Sequence, residues 1–143
     1  MDVDVNYIAI FLAAASSMVV GSIWYAKGVF GDTWAKLAKV DMSKSVKASD
    51  MAALLGMTFV ASLVTAYILA HVAFLSNNFF RNDFLQDTLS TAFWLWLGFT
   101  AARILTHDLF EGRRKKLTLL TFGNEFVTIM VMALIIGAMG LPR

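Results

Sequence analysis

The chain has 143 residues, 59% of them hydrophobic and 15% charged, with no cysteine and a formal net charge of +2. A soluble domain is about 45–50% apolar and about 25% charged, and one of this size still exposes about a third of its unfolded surface, so the apolar excess cannot be hidden from water. These figures exclude a soluble enzyme and a disordered tail. Twelve basic against ten acidic residues is too small an excess for nucleic-acid binding, and the lack of cysteine removes disulfides and thiolate metal sites.

A membrane helix needs about 20 mostly apolar residues. Four segments meet that length, at about 5–26, 51–74, 88–107 and 117–140. The sequence therefore predicts an all-α integral membrane four-helix bundle forming one domain over residues 1–143. The first segment is expected to be a retained span and not a signal peptide, because it opens on the acidic Met1-Asp2-Val3-Asp4 and runs at full spanning length. Alanine, serine and glycine recur every four residues at Ala9, Ala13, Ser17 and Gly21, with shorter ridges at Ala52/Gly56 and Ala133/Gly137. Such ridges let helices approach closely in lipid, within one chain or between copies.

After the first span, Phe30, Trp34, Leu37 and Ala38 share one face, with Lys36 and Lys39 opposite. That pattern predicts a short amphipathic interfacial helix at about 32–40, capped by Asp32 or Thr33, with Trp24 and Tyr25 at the same membrane level. Thr58, Ser62 and Thr65 lie along the second span and are expected to bond to their own backbone. Phe79, Phe80 and Phe84 are expected to anchor the opposite face, where His71 also lies. Lysine and arginine set the orientation. Lys27, Lys36, Lys39, Lys44 and Lys47 in the first loop and Arg113, Arg114, Lys115 and Lys116 in the third outnumber Arg81 and Arg143. Both basic loops are therefore predicted to be cytoplasmic and both termini outside.

The third and fourth spans are joined by a tight turn, so they are antiparallel neighbours. Thr100, Arg103, His107 and Glu111 fall on one face of the third, and Thr118, Thr121, Glu125 and Thr128 on one face of the fourth. A single register apposes Arg103 with Glu125, His107 with Thr121, and Thr100 with Thr128. Glu125 lies about two turns deep at about 1.5 Å per residue, where a lone carboxylate is costly, and pairing with Arg103 would relieve both residues. The expected site is an intramembrane Arg103–Glu125 pair in a polar cavity lined by Thr100, His107, Thr121, Asn124 and Thr128. The plainer alternative is a pair that only fixes hairpin register. His107, Asp108 and Glu111 are a weak metal set beside so many cations, so neither metal nor cofactor is expected. No nucleophile triad or phosphate loop is present, and an enzyme is not expected.

Gly21-x-x-Trp24-Tyr25, Phe30-Gly31-x-x-Trp34, Leu97-Gly98-Phe99 and Phe110-Glu111-Gly112-Arg113 together resemble the bacterial family known as domain of unknown function 1761. The resemblance covers nearly the whole chain, with departures at Ala26-Lys27 and His107-Asp108. It implies the four-span fold and no assigned activity. It also implies that Trp24, Tyr25, Phe30, Gly31, Trp34, Glu111, Gly112 and Arg113 form one cytoplasmic-side cluster, with Glu111 bonding to the first-loop helix. Besides the lipid bilayer, the expected partner is a second or third copy of the chain, since four short spans enclose little. The functional expectation is a transporter- or channel-like protein, or else an accessory subunit that docks a membrane protein or lipids.

Overall fold

The computed structural model of the chain describes residues 3–41 and 46–141. Met1, Asp2, Lys44 and Arg143, used above for topology, lie outside the described residues. Every regular element among the described residues is helical: α1 (Tyr7–Trp24), α2 (Gly31–Ala38), α3 (Ala48–Phe80), α4 (Phe84–Leu95), α5 (Ala102–Phe110) and α6 (Lys115–Met139). A π-helical stretch, Trp96–Ala101, joins α4 to α5 without a break. Three helices, α1, α3 and α6, are long and apolar enough to cross a membrane.

Local chemistry sets the boundaries. Asn6 starts α1 by accepting a hydrogen bond from the Ala9 amide at 3.1 Å. The interfacial helix forms as expected but is not capped by Asp32 or Thr33, because it begins one residue earlier, with Phe30 at the cap position and no side-chain bond. The Asp32 carboxylate instead accepts from the Gly28 amide at 3.3 Å. It ends where Lys39 turns left-handed, φ +56°. The helix α3 has 33 residues, so at about 1.5 Å per residue it is roughly 50 Å long and overruns a hydrocarbon core of about 30 Å. Residues 75–80, beyond the span expected at about 51–74, are its last turns.

Helix α6 packs against α1 on one flank and α4 on the other, and α3 closes the ring by touching α1 and α4. Small residues make these contacts. Ala9 and Ala13 of α1, Ala66 and Ala70 of α3, Ala92 of α4 and Ala133 of α6 are all buried, with Leu69 and Met132 filling the remaining space. Between helices in lipid there is little hydrophobic drive, so close backbone approach supplies the attraction. The ridge Ala9, Ala13, Ser17 is thus used within the chain. So is Ala133 with Gly137, where a Cβ on Gly137 would lie 2.8 Å from the Leu85 Cα. Ala52 and Gly56 are exposed and take no part.

The α3–α4 corner is fastened by Asp87, which is buried and lies one residue before the apolar run at 88–107. Its carboxylate accepts from the Asn82 amide at 2.9 Å and from the Asn77 amide at 2.8 Å. These bonds, that of Asn82 foremost, hold the Asp87 carboxyl below its ordinary range. A carboxyl lowered in the folded state stabilises fully above its unfolded value of about 3.9, and the contribution disappears as pH falls through the lower folded value. The gap in melting temperature between the wild type and Asp87→Asn should therefore be constant near neutrality and narrow below about pH 4. A gap independent of pH in thermal melts would remove this role.

Candidate functional site

The site begins with the turn after α1. The Phe30 amide bonds to the Trp24 carbonyl at 3.1 Å and the Gly31 amide to the Ala26 carbonyl at 3.2 Å, folding α2 back on the end of α1. The turn is so close that a Cβ on Gly31 would meet the Tyr25 carbonyl oxygen at 2.2 Å. Aromatic rings lock it: Trp24 lies 4.5 Å from Phe30, and Tyr25 meets Trp34 edge-on at 5.5 Å. The Trp24 indole also lies against Gly123 of α6, where a Cβ would stand 2.9 Å from the ring. Trp24, Tyr25, Phe30, Gly31 and Trp34 are thus one cluster.

The other half of the expected cluster divides. Arg113 lies within electrostatic reach of Tyr25, but Glu111 and Gly112 are exposed. Glu111 makes no bond to α2. Its helix ends beneath it and Gly112 takes φ +64°, which turns the chain into α6.

Tyr25 forms one edge of a cavity of about 400 Å³ between α1, α3 and α6. Glu125, Asn124 and Thr128 enter it from α6, Ser17 and Ser22 from α1, and Thr58 and Ser62 from α3. Ser17 and Ser62 share a hydrogen bond of 2.8 Å across the helices, so Ser62 does not turn only to its own backbone. Thr58 and Thr65 do, bonding to the Leu54 and Ala61 carbonyls. The Asn124 Oδ1 is buried without a hydrogen-bond partner. A carboxylate, an unsatisfied amide oxygen and several hydroxyls therefore converge on one space inside the apolar part of the fold. Such a set accepts hydrogen bonds and favours positive charge.

Arg103 is not in this cavity. It is exposed on α5 and makes no ion pair with Glu125, and Thr100, His107 and Thr121 are likewise absent from the lining. Thr121 bonds to the Leu117 carbonyl at 3.1 Å. The π-helical stretch is the physical cause. An unbroken α-helix continuing the buried positions Thr88 and Ala92 would bring Phe99, Arg103 and Phe110 inward. One extra residue in a wide turn rotates everything beyond it by about 100°. Ala101 and Asp108 are buried instead and Ile104 is half-buried, while Phe99 and Phe110 are exposed. On α6 the meeting face is displaced by one residue as well. Phe122 and Phe126, next to Thr121 and Glu125, pack on Trp96 with ring centroids 6.5 and 4.9 Å apart. Gly98, inside the π stretch, was the available sequence signal, since glycine in a helix interior marks a weak point in the α-helical ladder.

The true hairpin clasp is Asp108. Its carboxylate accepts from the Thr118 hydroxyl and from the Arg113 guanidinium, the latter at 3.2 Å, and its carbonyl accepts from the Arg113 amide at 2.9 Å. Sequence reasoning treated Asp108 only as a weak metal ligand. Among the described residues no group of three or more His, Asp or Glu side chains is placed to hold a metal ion.

Comparison with known proteins gives one family. Residues 8–137 match the family described as protein of unknown function (DUF1761). No curated protein and no solved structure matches the chain.

Proposed function

The chain belongs to the DUF1761 family of proteins of unknown function, and we propose that it is a small multi-pass membrane protein of transporter- or channel-like type, working through the cavity around Glu125. Its membrane part has four spans: α1, α3, α6 and the apolar run of spanning length at 88–107 within the composite rod of α4, the π-helical stretch and α5. Lys27, Lys36, Lys39 and Lys47 before α3 and Arg113 to Lys116 around the start of α6 put these two loops in the cytoplasm and both termini outside, in a bacterial inner membrane. No chemistry of bond making or breaking is assigned to it.

The observation that carries the reading is Glu125 opening into an acceptor-lined cavity with, among the described residues, no Lys or Arg in its lining and no ion pair to Glu125. An acid at such depth costs free energy unless it has a partner, and intramembrane ionisable groups of this kind mark solute or proton paths. With Arg103 outside, the cavity suits a proton or a small cationic or hydrogen-bond-donating solute, and not an anion. Because residues 48–58 of α3 are exposed, the same chain has a face for a second or third copy. That face also supports the second reading, an accessory subunit bound to another membrane protein.

One preparation tests both. Reconstituted in proteoliposomes, the wild type should carry a proton or small-cation flux that Glu125→Gln reduces to the level of empty vesicles, while circular dichroism and elution volume stay unchanged. No flux from the wild type across a panel of cations and pH gradients would refute transport, and a stoichiometric foreign subunit in the mild-detergent preparation would support the second reading instead.

A further inference from the structure

A second cavity, of about 250 Å³, lies between α5 and α6, and Glu125 is not in its lining. Its walls are apolar: Leu105 and Leu109 from α5, Leu119 and Phe122 from α6. Its mouth is basic, with Arg113 and Lys115 in the lining and Arg114 and Lys116 exposed alongside. Asp108 and Thr118, both buried, also line it, but the Asp108 charge is already met by Arg113 and by the Thr118 hydroxyl. The net character of the entrance is therefore positive. From Lys115 to Phe122 the wall runs for seven residues of helix, about 10 Å at about 1.5 Å per residue.

We propose that this groove is a specific site for one anionic phospholipid, its phosphate at Lys115 and Arg113 and the upper part of an acyl chain along Leu109, Leu105, Leu119 and Phe122. Charge and shape together select that occupant. A basic entrance continuing into an apolar slot fits a molecule that is anionic at one end and hydrocarbon at the other. Free phosphate would leave the slot unused, and a zwitterionic lipid would gain less at the entrance. Basic pockets between spans on the cytoplasmic side are known to hold anionic headgroups, with about 1 kcal/mol, or roughly fivefold in affinity, for each basic residue near the surface. The inference rests on the membrane placement of the hairpin and is independent of any flux through the Glu125 cavity.

The test titrates the full chain in detergent with dioleoyl phosphatidylglycerol or dioleoyl phosphatidylcholine and reads bound lipid by native mass spectrometry. The expected result is saturable binding of one phosphatidylglycerol in preference to phosphatidylcholine, not displaced by inorganic phosphate. Lys115→Gln should weaken it about fivefold. Leu119→Trp, which fills the slot without touching charge, should abolish the preference. Lys27→Gln, a basic residue outside the groove, should leave it unchanged. Arg113 is kept in all variants because Asp108 needs it. Equal binding of the two lipids, competition by inorganic phosphate, an equal loss from Lys27→Gln and Lys115→Gln, or wild-type behaviour of Leu119→Trp would each overturn the proposal.

Discussion

Replacing Asp108 with alanine should lower the unfolding free energy by about 2–3 kcal/mol. The residue is buried, and its carboxylate accepts two side-chain hydrogen bonds that bridge α5, the turn and α6. A hydrogen bond to an ionised group contributes about 1.5–3 kcal/mol, and here the Thr118 bond takes that role. The Arg113 pair adds less than about 1 kcal/mol, because its guanidinium side is about a third exposed and screened by water. Asp108→Asn keeps an oxygen for Thr118 and should lose about half as much. The contrast is with the pair that helical periodicity favoured. Arg103→Ala and Glu125→Ala should be additive to within about 0.5 kcal/mol, as expected for side chains that share no contact, whereas Asp108→Ala and Thr118→Ala should show coupling above that level. Thermal or denaturant unfolding in one detergent measures all of these. A silent Asp108→Ala, or strong Arg103–Glu125 coupling, would restore the unbroken-helix register.

That contrast shows what periodicity can and cannot reach. The apolar runs were legible because spanning length is a one-dimensional property. Three of the four became helices of membrane length, and the fourth became the composite rod. The small-residue ridge of α1 was legible for the same reason: a four-residue repeat stays on one face of any regular helix. The hairpin face was not, since its reading took the polar residues of the third and fourth spans to face one another, whereas the composite rod turns Ala101 and Asp108 inward and leaves Arg103 exposed. At the contact, Ile104 and Asp108 stand where Arg103 and His107 were expected. Glu125 was singled out by its place on the polar face of the fourth span and by its depth, with Arg103 as the expected partner. Its neighbours Ser17, Ser62 and Tyr25 come from helices whose rotation relative to α6 no spacing within α6 encodes. The aromatic turn was legible only through resemblance, because the contact between Gly31 and Tyr25 joins residues that no helical repeat relates.

That turn is where the second large effect is expected. Gly31→Ala should cost about 3 kcal/mol although it adds one methyl group. The new Cβ would stand 2.2 Å from the Tyr25 carbonyl oxygen and 2.9 Å from that of Ala26, and both are backbone atoms that no rotamer change can remove. Overpacking of this kind costs about 1–3 kcal/mol by itself. Relief requires α2 to swing away from α1, which breaks the Gly31–Ala26 bond and separates Tyr25 from Trp34 and Trp24 from Phe30. Aromatic pairs of this geometry contribute about 0.5–1.5 kcal/mol each. Gly21→Ala serves as the control, because nothing lies within 4 Å of a Cβ there and alanine favours the helix. It should be neutral or slightly stabilising. Tryptophan emission reads the same event without unfolding: Trp24 and Trp34 become more accessible to an aqueous quencher in Gly31→Ala and stay protected in Gly21→Ala. Since Tyr25 forms an edge of the Glu125 cavity, displacing α2 should also reduce any flux through it. A Gly31→Ala variant with wild-type melting and quenching would mean that α2 is not held by this turn, and the cavity would then lose the element that positions Tyr25 at its edge.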